Sequence, residues 1–114
     1  MIRIYGIKAC DTMKKAFTWL EGRKLDYAFH DYKKEGIDHA TLAAWCAKVG
    51  WEVLVNKRGT TFRKLSAAEQ DVKGEKDAIA LMEKYPSLIK RPVIVKGAQV
   101  LVGLDTEAYA KVLK

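Results

Sequence analysis

The sequence predicts an α/β domain in which a βαβ unit and a ββα unit share one mixed four-stranded sheet and flank a helical block. Three observations carry this reading. Residues 2–32 change from strand to helix to strand period within a span that suits a parallel crossover. Residues 38–87 hold helical stripes and no segment that reads firmly as a strand. Residues 91–113 hold two β-branched runs around Gly97-Ala98 and a closing amphipathic segment.

Ile2, Ile4 and Tyr5 suit a first strand, and Met13, Ala16, Phe17 and Leu20 fall at i, i+3, i+4 and i+7, placing one apolar stripe on a helix that Gly22 ends. Residues 26–32 alternate as a second strand carrying His30, which reads as a half-buried strand histidine because nothing ties it to a catalytic partner. Residues 33–37 form a polar turn. Asp38 then caps a helix to about Val49, stopped by Gly50. Residues 51–56 are too few for periodicity to separate helix from strand. Residues 56–61 read as a loop with a left-handed glycine, exposing Lys57 and Arg58.

Ser66 followed three residues later by Glu69 is a capping box, and Gly74 ends the short helix it starts. Ala78, Ile79, Met82 and Tyr85 line a further helix that Pro86 cannot continue. The hairpin of residues 91–103 follows, and Asp105 caps a last helix through Tyr109, Val112 and Leu113. This order is the thioredoxin arrangement, enlarged between its halves. The expected organisation is one domain over residues 1–114, with a thioredoxin-like core at about 1–35 and 88–114 and a helical insertion at about 38–87. Pro92 then occupies the place where such folds carry a cis-proline beside the active cysteine.

A chain of 114 residues is long enough to bury a core without disulfides or metal. No apolar run approaches the roughly 18 residues of a membrane helix, and no signal-peptide pattern precedes Ile2, so the expectation is a cytoplasmic protein with no membrane partner. Twenty-one basic against fourteen acidic side chains leave a charge of +7. Lys8, Lys14, Lys57, Arg58, Lys90 and Arg91 recur in the segments expected to converge on Cys10 instead of forming one stripe, which favours a local anion site over a nucleic-acid face. A monomer is the default at this size.

Chemistry starts at Cys10. It lies at or just before a helix N-terminus, where unpaired N–H groups and the positive end of the helix dipole favour the thiolate and lower the pKa below the free value of about 8.5. Cys46 shares an apolar helix face with Leu42, Trp45 and Val49 and reads as core. Two cysteines at this spacing form neither a disulfide framework nor a zinc site, so no metal is expected.

The motif Tyr5-Gly-Ile-Lys-Ala-Cys-Asp-Thr-Met-Lys-Lys-Ala16, Lys57-Arg58, Tyr85-Pro-Ser-Leu-Ile-Lys-Arg-Pro-Val-Ile-Val95 and Gly103-Leu-Asp-Thr-Glu107 together resemble the arsenate reductase (ArsC) family, and within it the YffB-like and Spx-like branches. The resemblance implies a nucleophilic Cys10 and oxyanion-holding Arg58 and Arg91, with Thr12 matching a family threonine and Lys14 replacing an arginine. Guanidinium groups suit the role because they bind oxyanions bidentately and lower the pKa of a nearby thiol. Three departures stand out. Gly6 replaces a histidine, Leu104 replaces a third arginine, and Met13 occupies the second position of a C-x-x-C pair.

The expected function is therefore a monothiol reductase using Cys10, with no bound cofactor and with glutathione, or a glutaredoxin-like thiol donor, as co-substrate. Its peptide would pair with the backbone beside Pro92. The alternative is an Spx-like regulator that binds RNA polymerase without turnover.

Overall fold

A computed structural model describes residues 2–8 and 10–113; Ala9 of the cysteine motif, and the termini of the expected domain, lie outside the described residues. The chain divides into two compact units, Met1–Glu35 with Arg91–Lys114, and Gly36–Lys90.

The first unit is built on strands β1 (Ile2–Gly6), β2 (Tyr27–Asp31), β3 (Val93–Lys96) and β4 (Gln99–Val102) in the order β2-β1-β3-β4. β1 runs parallel to β2 and antiparallel to β3, and β3 is antiparallel to β4. The parallel pair follows from the crossover through helix α1 (Asp11–Gly22), and the order is that of a thioredoxin-like sheet. Ile2, Ile4 and Ile94 place one sheet face against Met13, Ala16 and Leu20 of α1 and against Tyr109 and Leu113 at the chain's last helix. Trp19 meets Tyr109 edge to face at 5.5 Å, joining the two helices.

In the register Tyr5 pairs with His30 and with Val93, and Gly6 pairs with Asp31. The carboxyl ends of β1 and β2 and the start of β3 therefore share one end of the sheet, the end where ligands of open α/β sheets bind. β3 begins at Val93, later than the sequence run, because Pro92 has no N–H to give the ladder. Its carbonyl still accepts the Gly103 N–H at 2.8 Å. The Arg91–Pro92 peptide bond is cis.

The segment expected as a polar turn after β2 is instead a helical turn, α2 (Tyr32–Glu35). Two local hydrogen bonds explain it: the Lys33 N–H donates to Asp31 Oδ1 at 2.9 Å, and the Asp31 N–H donates to Glu35 Oε2 at 3.2 Å.

The second unit contains α3 (His39–Val49), α4 (Trp51–Leu54), α5 (Thr60–Arg63), α6 (Ala67–Gln70), α7 (Glu75–Lys84) and a 3-10 turn, Pro86–Leu88. Asp38 caps α3 by accepting the Thr41 N–H at 2.8 Å, and Ser66 caps α6 by accepting the Glu69 N–H at 3.2 Å. Leu42, Trp45, Cys46, Leu54, Ala78, Ile79 and Met82 are buried within it. The ambiguous residues 51–56 resolve into the turn α4 and an isolated bridge from Val55 to Ile89, with the Lys90 N–H donating to the Leu54 carbonyl at 2.7 Å.

Gly59 is not left-handed; its φ is −78° and it serves as the N-cap of α5. The turn is made by Asn56, whose Oδ1 accepts the Arg58 N–H at 3.2 Å, and a Cβ on Gly59 would come within 3.0 Å of Asn56 Nδ2. Close approach, not backbone hand, is what favours glycine there. The chain closes in the first unit with α8 (Thr106–Val112), capped by Asp105, which accepts the Ala108 N–H at 3.1 Å. Among the described residues no helix is long and apolar enough to cross a membrane.

Candidate functional site

Cys10 is the N-cap residue of α1, extended at φ −141° and ψ 131°, and partly exposed. Its carbonyl accepts the Lys14 N–H at 3.0 Å, the first helical hydrogen bond. The Cys10 side chain makes no conventional cap hydrogen bond, and the N–H groups of the first turn favour an anion at this position. Burial alone would push the Cys10 thiol up. That effect is outweighed by the N–H groups of Met13 and Thr12, the Arg91 guanidinium and the Thr12 hydroxyl, and the net result is a pKa below the ordinary thiol value.

Arg91 reaches this place because the β1–β3 register sets the start of β3 beside the end of β1. It acts on a second group as well. Tyr32, directly after β2, is buried, and its hydroxyl finds no hydrogen-bond partner among the described residues. Burial and the neighbouring Tyr5 push its pKa far up, Arg91 pulling only partly against them, so Tyr32 carries its proton at any working pH. No sequence rule singled Tyr32 out. The available signal was its position one residue beyond Asp31, the parallel partner of Gly6.

The structure thus gathers Cys10, Thr12, Arg91 and Pro92 at one end of the sheet in the first unit. Lys14 supplies its main chain to the helix start while its side chain is exposed. Leu104 is an exposed apolar residue between Gly103, at φ 87°, and the cap residue Asp105. His30 lies in β2, its ring 5.0 Å from that of Tyr5 and tilted by 37°, with Nδ1 3.8 Å from Glu35 Oε2.

Arg58 belongs to the second unit. There it lines a recess of about 510 Å³ with Glu52, Val55, Asn56, Lys57 and Lys90, in which three cations face one carboxylate. Lys57 Nζ lies 5.6 Å from the Trp51 ring centroid. Cys46, in the same unit, is buried, and burial together with Glu75 raises its pKa, which keeps it a neutral thiol.

Comparison with known proteins places this geometry in context. The model of the ArsC family matches residues 5–112. An uncharacterized protein of Haemophilus influenzae is 39% identical over 96% of each chain. A solved structure of the YFFB protein is 53% identical, covers all of both chains and superposes with a TM-score of 0.97. A solution structure of an arsenate reductase (ArsC) related protein from Brucella melitensis is 47% identical, covers 99% of this chain and 94% of its own, and gives a TM-score of 0.77. The global transcriptional regulator Spx of Streptococcus pneumoniae is 24% identical, over 94% of this chain and 81% of its own.

Proposed function

This chain belongs to the ArsC family, and from that premise we propose that it is a cytoplasmic, thiol-dependent reductase in which Cys10 is the nucleophile and glutathione the thiol co-substrate. The observation that carries the reading is the Cys10 sulfur at the start of α1, with the Met13 and Thr12 N–H groups and Arg91 lowering its pKa against the cost of burial. A lowered pKa raises the ionised fraction of this thiol, and the thiolate is the attacking form.

In the proposed reaction the Cys10 thiolate attacks the glutathione sulfur of a mixed disulfide, forming a Cys10–glutathione disulfide and expelling the substrate as a thiolate. A second glutathione thiolate then attacks the glutathione sulfur of that disulfide. Oxidised glutathione leaves, and the Cys10 thiolate is regenerated; in sum one mixed disulfide and one glutathione thiolate give the substrate thiolate and oxidised glutathione. Arg91 and Lys14 supply positive charge for the carboxylates of the tripeptide, and the main chain beside Pro92 offers it extended pairing. The second thiol has to come from outside the chain, because residue 13 is a buried methionine and Cys46 is a buried neutral thiol of the other unit.

Incubation with oxidised glutathione, followed by intact and peptide mass measurement, tests this. One glutathione added at Cys10 is the expected result, absent in Cys10→Ser. Modification at Cys46 with Cys10 untouched would remove the proposal. Similarity to Spx regulators supports a second reading, binding to RNA polymerase without turnover; polymerase retained by both wild type and Cys10→Ala, in a protein that forms no glutathione adduct, would favour it.

A further inference from the structure

Gly6 ends β1, four residues before Cys10, and its φ is not left-handed. What requires glycine is space. A Cβ built there would collide with Met13 Sδ and lie 2.7 Å from Met13 Cε and 3.4 Å from Cγ. A thioether end is ordinarily free to swing aside. Here Met13 is fully buried in a cluster with Ile4, Ala16, Leu20, Ile94 and Tyr109, so a close-packed core leaves its thioether little room to swing into. Added volume at residue 6 is therefore taken up by moving residue 13 itself. Met13 is the third residue after Cys10, inside the turn that the Lys14 N–H closes on the Cys10 carbonyl at 3.0 Å.

We propose that Gly6 is a positioning residue for Cys10: the missing side chain lets Met13 seat against the end of β1, and the seated Met13 holds the first-turn N–H groups of α1 on the Cys10 sulfur. Gly6 touches no reacting atom. The pair also ties two features together, because the side chain that a bare residue 6 makes room for is the one that leaves no thiol at residue 13.

The inference rests on Cys10 being the reactive thiolate, and the experiment separates the two. The rate of Cys10 alkylation by iodoacetamide is followed against pH by peptide mass. A wild-type midpoint in the ordinary thiol range counts against the reactive-thiolate reading alone. The role of Gly6 is read from differences between variants on the same curves. Gly6→Ala is expected to raise the midpoint by about one unit, the size of one weakened charge-assisted hydrogen bond, with an unchanged circular dichroism spectrum. Added to Met13→Ala, the same substitution is expected to leave the midpoint where Met13→Ala alone puts it.

An unmoved midpoint in folded Gly6→Ala, or an equal rise whether or not the thioether is present, overturns the inference. Should Gly6→Ala not fold, the wild-type protein decides. The Met13 amide resonance is expected to titrate with Cys10, and an amide indifferent to that ionisation overturns the proposal.

Discussion

Arg91 acts on two ionisable groups at once, since it helps the first-turn N–H groups draw Cys10 toward the thiolate and pulls partly against burial at the Tyr32 hydroxyl. A guanidinium stays charged across the working pH range, so its effect on Cys10 is a fixed field and not a titrating one. Arg91→Gln is expected to raise the Cys10 alkylation midpoint by about half a unit, the scale of a charge pair that water partly screens. Salt supplies the control. In wild type the midpoint should rise between low and high ionic strength, and in Arg91→Gln most of that dependence should vanish. A salt response that persists in full would assign the field to other cations, with Lys8 and Lys14 the first to replace.

At the level of elements, the parts that could be read from the sequence are those whose signals are local. Asp38, Ser66 and Asp105 each accept the N–H three residues on, as their positions before apolar stripes foretold. The features that escaped depend on contacts between segments or on competition between short-range bonds. Residues 32–35 hold too few apolar side chains to announce a helix, yet the Asp31 and Glu35 side chains fold them into one. Gly59 looked like a left-handed glycine because the neighbouring Asn56 turn could not be seen from composition. The close approach of Gly6 to Met13 and the Tyr32 hydroxyl, unpartnered among the described residues, exist only once β1, β2 and α1 are assembled. Cys10 and Arg91 were legible because a helix start and a proline-led strand are written in a few consecutive residues; their proximity needed the register. The cap on α8 bears on stability directly, since this helix carries Tyr109 and Leu113 into the core. Asp105→Ala should cost about 1 kcal/mol by urea unfolding, with Asp105→Asn recovering most of it and the slope unchanged. A loss equal in both variants would mean that charge and not the cap bond is what the helix uses.

For the whole molecule, the two cysteines make the stability depend on pH with opposite signs. Cys10 has a folded pKa below its unfolded value. Between the two values the unfolded chain binds more protons, so stability rises with pH there; the Cys10 contribution is fully present above the unfolded pKa of about 8.5 and is lost as pH falls through the folded one. Cys46 behaves in reverse, because burial and Glu75 raise its folded pKa. The folded chain then holds the proton longer, and stability falls as pH rises through the unfolded pKa. Tyr109, raised to about 12 chiefly by burial, acts in the same sense as Cys46 but at higher pH, and so lies outside the window where the cysteines compete. The two effects oppose each other in the wild-type protein, and paired variants separate them. The stability of wild type minus that of Cys10→Ser should climb as pH rises toward the unfolded thiol pKa of about 8.5 and level off above it, while wild type minus Cys46→Ala should decline as pH rises past that value. Urea unfolding at fixed ionic strength in steps of one pH unit measures both. A Cys10 difference that is flat or falls with pH would show that folding does not favour the thiolate, and the nucleophile assigned to α1 would lose its physical basis.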